Sequence, residues 1–255
     1  MSGTVLLEKH NGVITITLNR PEAYNSLDVP MLEELLELLN KAAQMEENIL
    51  VIKGSGKGFS AGGDIKTMLS SFDTPFESIM ETIGAVVTAL YEMPKLTICA
   101  IHGAAAGLGL SLALACDHVM VDERAKVAMN FIGIGLVPDG GGHFFLKQRL
   151  GDKKARSVIW EGKTLAAEEA LEIGVIDEVT GDLEEAVTGK IAAWQEKPVQ
   201  AMIATKLIYV NIQLDELKSI LKLETHNQGK MRVTEDHKEG VSAFLEKRKP
   251  QFVGK

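Results

Sequence analysis

Three glycine-rich stretches carry the residues that could do chemistry in this chain of 255 residues. They are GSGKGFSAGGD (54–64), HGAAAGLGLSLALACD (102–117) and GIGLVPDGGGHFF (133–145). Glycine lets a backbone approach a ligand closely, and free N–H groups at the start of a helix favour an anion. The second and third stretches add Ser111 and Asp139, a candidate nucleophile and a candidate acid. Each stretch therefore has a catalytic interpretation beside a structural one.

The first stretch fits neither common phosphate-binding motif. The pattern GxxxxGK[ST] cannot be placed on it, and Phe59 stands where GxGxxG requires its third glycine. A strand that ends in this loop and opens a helix would still present free N–H groups to an anion. The alternative is a tight turn whose glycines take positive φ, with Asp64 as the N-cap of the next helix.

Ser111 and Asp139 also have structural alternatives. Ser111 lies in GLSLA, which mimics a hydrolase nucleophile elbow, but it comes ten residues after the predicted strand end, inside an apolar helix. A small buried serine in a helix is therefore favoured. Asp139 lies between Pro138 and three glycines before a helix, so it is either an N-cap or a functional acid. His143 follows as a candidate base, although a single histidine near a helix start is more often structural.

Strand and helix patterns alternate up to about Gly181, and the three glycine-rich stretches lie between these predicted elements. Strands are predicted over Val13–Leu18, Ile49–Lys53 and Leu96–Ile101, and as a strand pair over Asp117–Val121 and Ala125–Asn130. Helices are predicted after an Asp28 cap, from about Asp64, over Phe76–Glu92, from Gly107 and over Phe144–Leu150. This alternation implies an α/β core with much parallel pairing.

The rest of the chain is predicted to be helical. Helical patterns run over Leu183–Trp194, Val199–Tyr209, Leu214–Gly229 and Glu235–Lys247. These helices carry many apolar positions, so we expect them to pack on the core or on another subunit. The predicted organisation is a core over residues 1–197 and a helical oligomerisation region over residues 198–255.

Composition excludes several classes of protein. The formal net charge of −8 argues against binding of nucleic acid or an anionic membrane, since both need a basic surface. Cys99 and Cys116 cannot form a disulfide framework and no CxxC pair offers a metal site, so we expect buried thiols in a reducing compartment. The first residues lack the features of a signal peptide, so a cytoplasmic protein is expected.

One uncharged run, Leu96–Cys116, is long enough to cross a bilayer. Gly103 and Gly107 in it have the spacing found in membrane helix dimers. However, its first six residues are rich in β-branched side chains and end at His-Gly, which is a turn signal. A buried strand followed by a buried helix is therefore the favoured interpretation.

Five ordered motifs together resemble the crotonase superfamily, the enoyl-CoA hydratases and isomerases. They are LNRPEAYNSLD, GFSAGGDIKTM, HGAAAGLGLSLALACD, GLVPDGGG and TEDHKEGVSAFLEKRKPQF, which span most of the chain. The resemblance implies a spiral of β-β-α turns followed by helices that form a homotrimer or a dimer of trimers. It also implies an acyl-CoA thioester substrate, with coenzyme A as part of the substrate. The sequence indicates no metal or redox cofactor.

The resemblance assigns roles to particular residues. The backbone N–H groups of Gly63 and Leu108 would form an oxyanion hole, in which each donor is worth about 10²–10³ in rate. The acyl-CoA would lie along Ala23, Ala61, Asp64 and Ile65. Phe244 and Lys247 match positions that hold the nucleotide end across a subunit boundary in relatives, although a basic helix end also suits the helix dipole.

The chain departs from the hydratase pattern at both acid–base positions. Hydratases of the family use two glutamates, whose positions fall on Ser111 and Phe131, so these residues would instead line the acyl site. Asp139 matches the single acid of the Δ3,Δ2-enoyl-CoA isomerases and the 1,2-epoxyphenylacetyl-CoA isomerases. The resemblance therefore favours a double-bond shift in which Asp139 moves a proton, with its pKa raised by burial among apolar side chains.

Three alternatives stay open at this point. The first is a hydratase in which Asp139 works alone. The second is an acyl-CoA thioester hydrolase that uses Ser111 as nucleophile. The third is a non-catalytic scaffold or RNA-binding member of the family, which the net charge disfavours.

Overall fold

The computed structural model describes residues 3–64 and 75–255, and in these ranges six strands form a central sheet. The strands are β1 (Val5–His10), β2 (Val13–Leu18), β3 (Ile49–Gly54), β4 (Leu96–Ile101), β6 (His118–Asp122) and β9 (Glu178–Thr180). Their order is β1-β2-β3-β4-β6-β9. The β1–β2 pair is an antiparallel hairpin, and each later pair is parallel. The predicted α/β core with parallel pairing is confirmed.

Three short strands form a second sheet within the described residues. They are β5 (Ala104–Ala106), β7 (Lys126–Ala128) and β8 (Thr164–Ala166). Strand β5 is parallel to β7, and β7 is antiparallel to β8. The predicted strand pair over Asp117–Val121 and Ala125–Asn130 is therefore wrong as a pair. Its two members, β6 and β7, lie in different sheets.

The helices surround these sheets. They are α1 (Val29–Ala43), α2 (Phe76–Tyr91), α3 (Leu108–Leu114), α4 (Gly142–Glu161), α5 (Ala167–Ile173), α6 (Leu183–Gln195), α7 (Val199–Met231) and α8 (Glu235–Glu246). The Asp28 carboxylate accepts the Met31 N–H at 3.0 Å and so caps α1, as predicted. Helix α4 is interrupted at Gly151, so its first part ends at Leu150 as expected. The helix predicted from about Asp64 lies outside the described residues.

Helix α7 is one helix of 33 residues, whereas the sequence predicts two helices over Val199–Tyr209 and Leu214–Gly229. The four intervening residues, Val210, Asn211, Ile212 and Gln213, include neither glycine nor proline. Nothing in the backbone therefore stops the helix. The boundary proposed between residues 197 and 198 stays a prediction.

The uncharged run Leu96–Cys116 is divided among β4, β5 and α3. Gly103 turns the chain with φ +62° between the two strands, and Gly107 turns it with φ +52° before the helix. Every residue of α3 is buried, which explains why this helix is apolar on all sides. Among the described residues no helix is both long enough and apolar enough to cross a membrane.

Parallel strands bring two of the glycine-rich stretches to one edge of the central sheet. The loop after β3 and the loop after β4 both leave the carboxyl edge, because the two strands are parallel neighbours. Two isolated β-bridges join these loops to their surroundings, Ser60 with Ala105 and Leu27 with Gly63. This edge is where open α/β sheets usually bind ligands.

Candidate active site

A cavity of about 300 Å³ lies at this edge of the sheet. Residues from all three glycine-rich stretches line it, and α8 contributes one wall through His237, Val241 and Phe244. Its lining from the three stretches comprises Ala61, Gly62, Gly63, Gly107, Leu108, Gly133, Ile134, Leu136 and Asp139. The sequence motifs therefore converge on one cavity.

Gly63 and Leu108 line this cavity, and among the described residues their N–H groups have no hydrogen-bond partner. The Leu27–Gly63 bridge uses the Leu27 N–H to Gly62 O, at 2.8 Å, and the Asp64 N–H to Leu27 O, at 3.1 Å. In a parallel bridge the N–H of the middle residue points the other way, so that of Gly63 faces away from Leu27. Leu108 is the first residue of α3, where the N–H groups have no partner within the helix.

Close backbone packing brings together the two loops that carry these donors. Gly62 has φ +95°, and a β-carbon built on it would lie 2.6 Å from the Ala106 carbonyl oxygen and 3.4 Å from the Leu108 nitrogen. A residue with a side chain would therefore push the two loops apart. The glycine at position 62 is required both by its conformation and by the approach of the second loop.

Asp139 is buried at the cavity wall, with 6 % of its surface exposed. Burial raises the pKa of its carboxyl well above the ordinary value, and the nearby charge of Glu224 raises it further. A hydrogen bond from Gln228 to Oδ2, at 3.3 Å, acts in the opposite direction. The N-cap alternative is wrong, because α4 starts at Gly142 after Gly141, and no side chain caps it.

Sequence reasoning missed Glu224 and Gln228, two buried residues of α7. Glu224 accepts hydrogen bonds from the Gly141 N–H at 2.8 Å, the His143 N–H at 3.2 Å and the His143 ring nitrogen Nδ1 at 2.8 Å. His143 therefore pairs with a carboxylate, in agreement with the structural interpretation of this residue. The only signal in the sequence was the spacing of four, which puts both residues on one helical face.

Ser111 and Phe131 occupy the two positions that carry glutamates in hydratases, and each has a structural role. Ser111 is fully buried in α3 and donates its hydroxyl to the main-chain oxygen of Asp139 at 2.8 Å. This hydrogen bond holds the Asp139 backbone, which agrees with the structural interpretation of the serine. Phe131 begins a short 3-10 helix and lines the cavity with an apolar ring.

The remaining predicted substrate-binding residues divide between the cavity and its surroundings. Ala61 and Phe244 line the cavity, with Phe244 on α8 of the same chain. Ala23, Asp64 and Lys247 lie outside the described lining, and Ile65 lies outside the described residues. The Asp64 carboxylate accepts from Arg20 at 3.3 Å and from Ser26 at 3.1 Å, while Lys247 ends α8 with φ +55°.

Four further polar side chains of the lining were not predicted, namely Asn130, Thr164, Arg232 and His237. Arg232 follows α7 and lies over the Phe76 ring, with the guanidinium carbon 4.3 Å from the ring centre. The His237 Nδ1 lies 2.7 Å from the Ile134 carbonyl oxygen, which ties α8 to the turn beneath it. In the described ranges no three His, Cys, Asp or Glu side chains are grouped as metal ligands.

The fold and the cavity define the class of this protein, and comparison with known proteins identifies its family. The fold and cavity define an α/β protein with a ligand site at the carboxyl edge of its sheet. Residues 8–255 match the model of the enoyl-CoA hydratase/isomerase family, and the chain belongs to this family. Its architecture is the α/β crotonase fold, with two small sheets and C-terminal helices.

Individual relatives match over nearly the whole chain. YhaR of Bacillus subtilis, which carries the family's name, is 53% identical over 95% of this chain and 96% of its own length. The 1,2-epoxyphenylacetyl-CoA isomerase of Escherichia coli is 36% identical over 98% of each chain. An enoyl-CoA hydratase structure from Mycobacterium avium subsp. paratuberculosis has a TM-score of 0.88 at 32% identity, covering 98% of this chain and 99% of that one. An acyl-CoA substrate follows from the family.

Proposed function

We propose that the chain is an enoyl-CoA isomerase that shifts a double bond by moving one proton through Asp139. The observation that carries the proposal is the cavity itself, whose lining includes one buried carboxyl and two backbone N–H groups that have no partner among the described residues. Ser111 and Phe131 fill both glutamate positions of the hydratases, so the pair of groups that adds water in those enzymes is missing. The likeness to the 1,2-epoxyphenylacetyl-CoA isomerase adds support.

The proposed reaction on a 3-enoyl thioester is a balanced proton shift. Ionised Asp139 accepts a proton from C2, and the electrons move to the thioester oxygen to give a dienolate. The N–H groups of Gly63 and Leu108 donate to this oxygen and stabilise its charge. Protonated Asp139 then returns the proton to C4, the double bond lies between C2 and C3, and the carboxylate is regenerated.

The raised pKa of Asp139 suits a group that both accepts and returns a proton. A carboxyl of ordinary pKa would hold the abstracted proton too weakly at neutral pH to be an effective base. Burial at the cavity wall is the main cause of this raised pKa. The same burial of Ser111, and its hydrogen bond to Asp139, disfavour a serine hydrolase.

We also propose that the enzyme is cytoplasmic and assembles as a homotrimer or a dimer of trimers. The exposed face of α7 carries Ile208, Tyr209 and Ile212, each with more than half of its surface exposed. Grouped apolar side chains of this kind are usually covered by another chain. The molecular mass in solution tests this assembly.

The ultraviolet absorbance of a conjugated enoyl thioester tests the proposed reaction. Addition of the enzyme to a 3-enoyl-CoA should increase this absorbance, because the double bond moves into conjugation with the thioester. No change with the 3-enoyl-CoA, together with a decrease when a 2-enoyl-CoA is supplied, would instead mean hydration. Release of free thiol without either change would indicate thioester hydrolysis.

A further inference from the structure

We propose that Gln228 is a positioning residue that holds Oδ2 of Asp139 and leaves Oδ1 as the oxygen that carries the proton. The inference rests on the proposed function, because it concerns the carboxyl to which that function assigns the proton transfer. Gln228 lies on α7, 89 residues from Asp139, and is almost fully buried.

The contacts of the Gln228 amide determine which end faces Asp139. Its Nε2 lies 2.7 Å from the Val137 carbonyl oxygen and 3.3 Å from Oδ2 of Asp139. A carbonyl oxygen can only accept, so the atom near Val137 must be the nitrogen rather than the oxygen. The two hydrogens of this nitrogen are then directed to the Val137 backbone and to the Asp139 carboxyl. One amide group therefore fixes the carboxyl relative to its own loop.

The other carboxyl oxygen has no such restraint. Asp139 Oδ1 is buried and has no hydrogen-bond partner among the described residues, although Asp139 lines the cavity. A buried acceptor without a partner is unusual in folded proteins and calls for an explanation such as a catalytic role. In the proposed reaction Oδ1 accepts the substrate proton. The protonated oxygen is then a donor that can return this proton to the substrate.

Helix α7 holds the Asp139 loop at a second point. Glu224, one turn before Gln228, accepts the N–H groups of Gly141 and His143. Residues of one helical face therefore hydrogen-bond the loop on both sides of Asp139. These bonds hold the carboxyl in position, and small displacements of a catalytic group reduce the rate strongly.

Several charged or titratable groups lie around Asp139 and would contribute to the pH dependence of the activity. Glu224 faces it from α7 and is itself paired with His143 of α4. Arg232, after α7, and His237, on α8, line the same cavity. Gln228 is uncharged, so replacing it removes a donor and leaves these charges in place.

Gln228→Met tests the inference through the pH dependence of isomerisation. The acidic limb of kcat/KM should move to higher pH, because the N–H that favours the ionised carboxyl is lost. We expect kcat to fall about tenfold, as for loss of one hydrogen bond to a charged group, with KM nearly unchanged. Gln228→Leu removes the same donor with a second uncharged side chain and should move the limb in the same direction.

Gln200→Met is the matched control, since Gln200 lies on the same helix with an exposed amide bonded to Asn48. It should leave the acidic limb and kcat unchanged. An acidic limb that stays in place in both Gln228 variants would overturn the inference while leaving the proposed function intact, even if activity falls. Absence of isomerase activity in the wild type would overturn both.

Discussion

At the scale of single residues, opposing neighbours set the proton affinity of Asp139. Burial and the charge of Glu224 raise its pKa, whereas the Gln228 amide lowers it. The proposed base must be ionised to accept a proton, so activity should decrease as the pH falls through this raised pKa. The acidic limb should therefore lie at higher pH than an ordinary aspartate would give.

Glu224→Gln should move this limb in the direction opposite to Gln228→Met. Removing the negative charge lowers the pKa of Asp139, so the acidic limb of kcat/KM shifts to lower pH. The glutamine Oε1 can still accept one of the N–H bonds from the α4 start, and a thermal unfolding curve checks that the fold persists. A limb that is unmoved or moves to higher pH would show that Glu224 does not act on Asp139 through its charge.

The sequence supports only part of this residue-level description. Asp139 and the loops bearing Gly63 and Leu108 are recognisable because each lies in a local glycine-rich motif. Glu224 and Gln228 lie in a helix more than 80 residues away and carry no local motif. Their contacts with the Asp139 loop depend on how α7 packs, which pattern and propensity do not specify.

At the scale of elements, the candidate cavity depends on the close approach of the loops after β3 and β4. Parallel pairing of those strands brings the loops to one edge, and Gly62 permits their contact. The strands and the glycine-rich loops are predictable, because alternating apolar residues and glycines are local signals. The separation of β6 and β7 into different sheets is not, because partner choice is a non-local property.

Gly62→Ala should therefore impair catalysis as well as stability, because its positive φ and the approach of the second loop both exclude a β-carbon. Its β-carbon would meet the Ala106 carbonyl oxygen and displace the two donors, so we expect a loss in kcat of about 10²–10³. Gly12→Ala is the matched control, since Gly12 also has positive φ but no atom within 4 Å of the added carbon. It should cost only about 1 kcal/mol of folding stability. Equal kcat in the two variants would contradict the role given to the loop approach.

At the scale of the whole molecule, the C-terminal helices complete the site of their own chain. Helix α7 reaches the Asp139 loop with Glu224 and Gln228, and α8 closes the cavity with His237 and Phe244. The sequence predicts these helices as an oligomerisation region, and the family resemblance also places Phe244 and Lys247 at the nucleotide end of the substrate. Their contribution to the cavity depends on tertiary packing, because it brings helices near the end of the chain against loops that lie much earlier in the sequence.

The comparison of wild type with Asp139→Asn on a 3-enoyl-CoA tests the central claim most directly. Asparagine keeps the shape of the side chain but cannot accept and return a proton. The rate of appearance of the conjugated thioester should therefore fall by about 10²–10⁴, with the melting temperature maintained. An unchanged rate in the variant would contradict the assignment of proton transfer to Asp139.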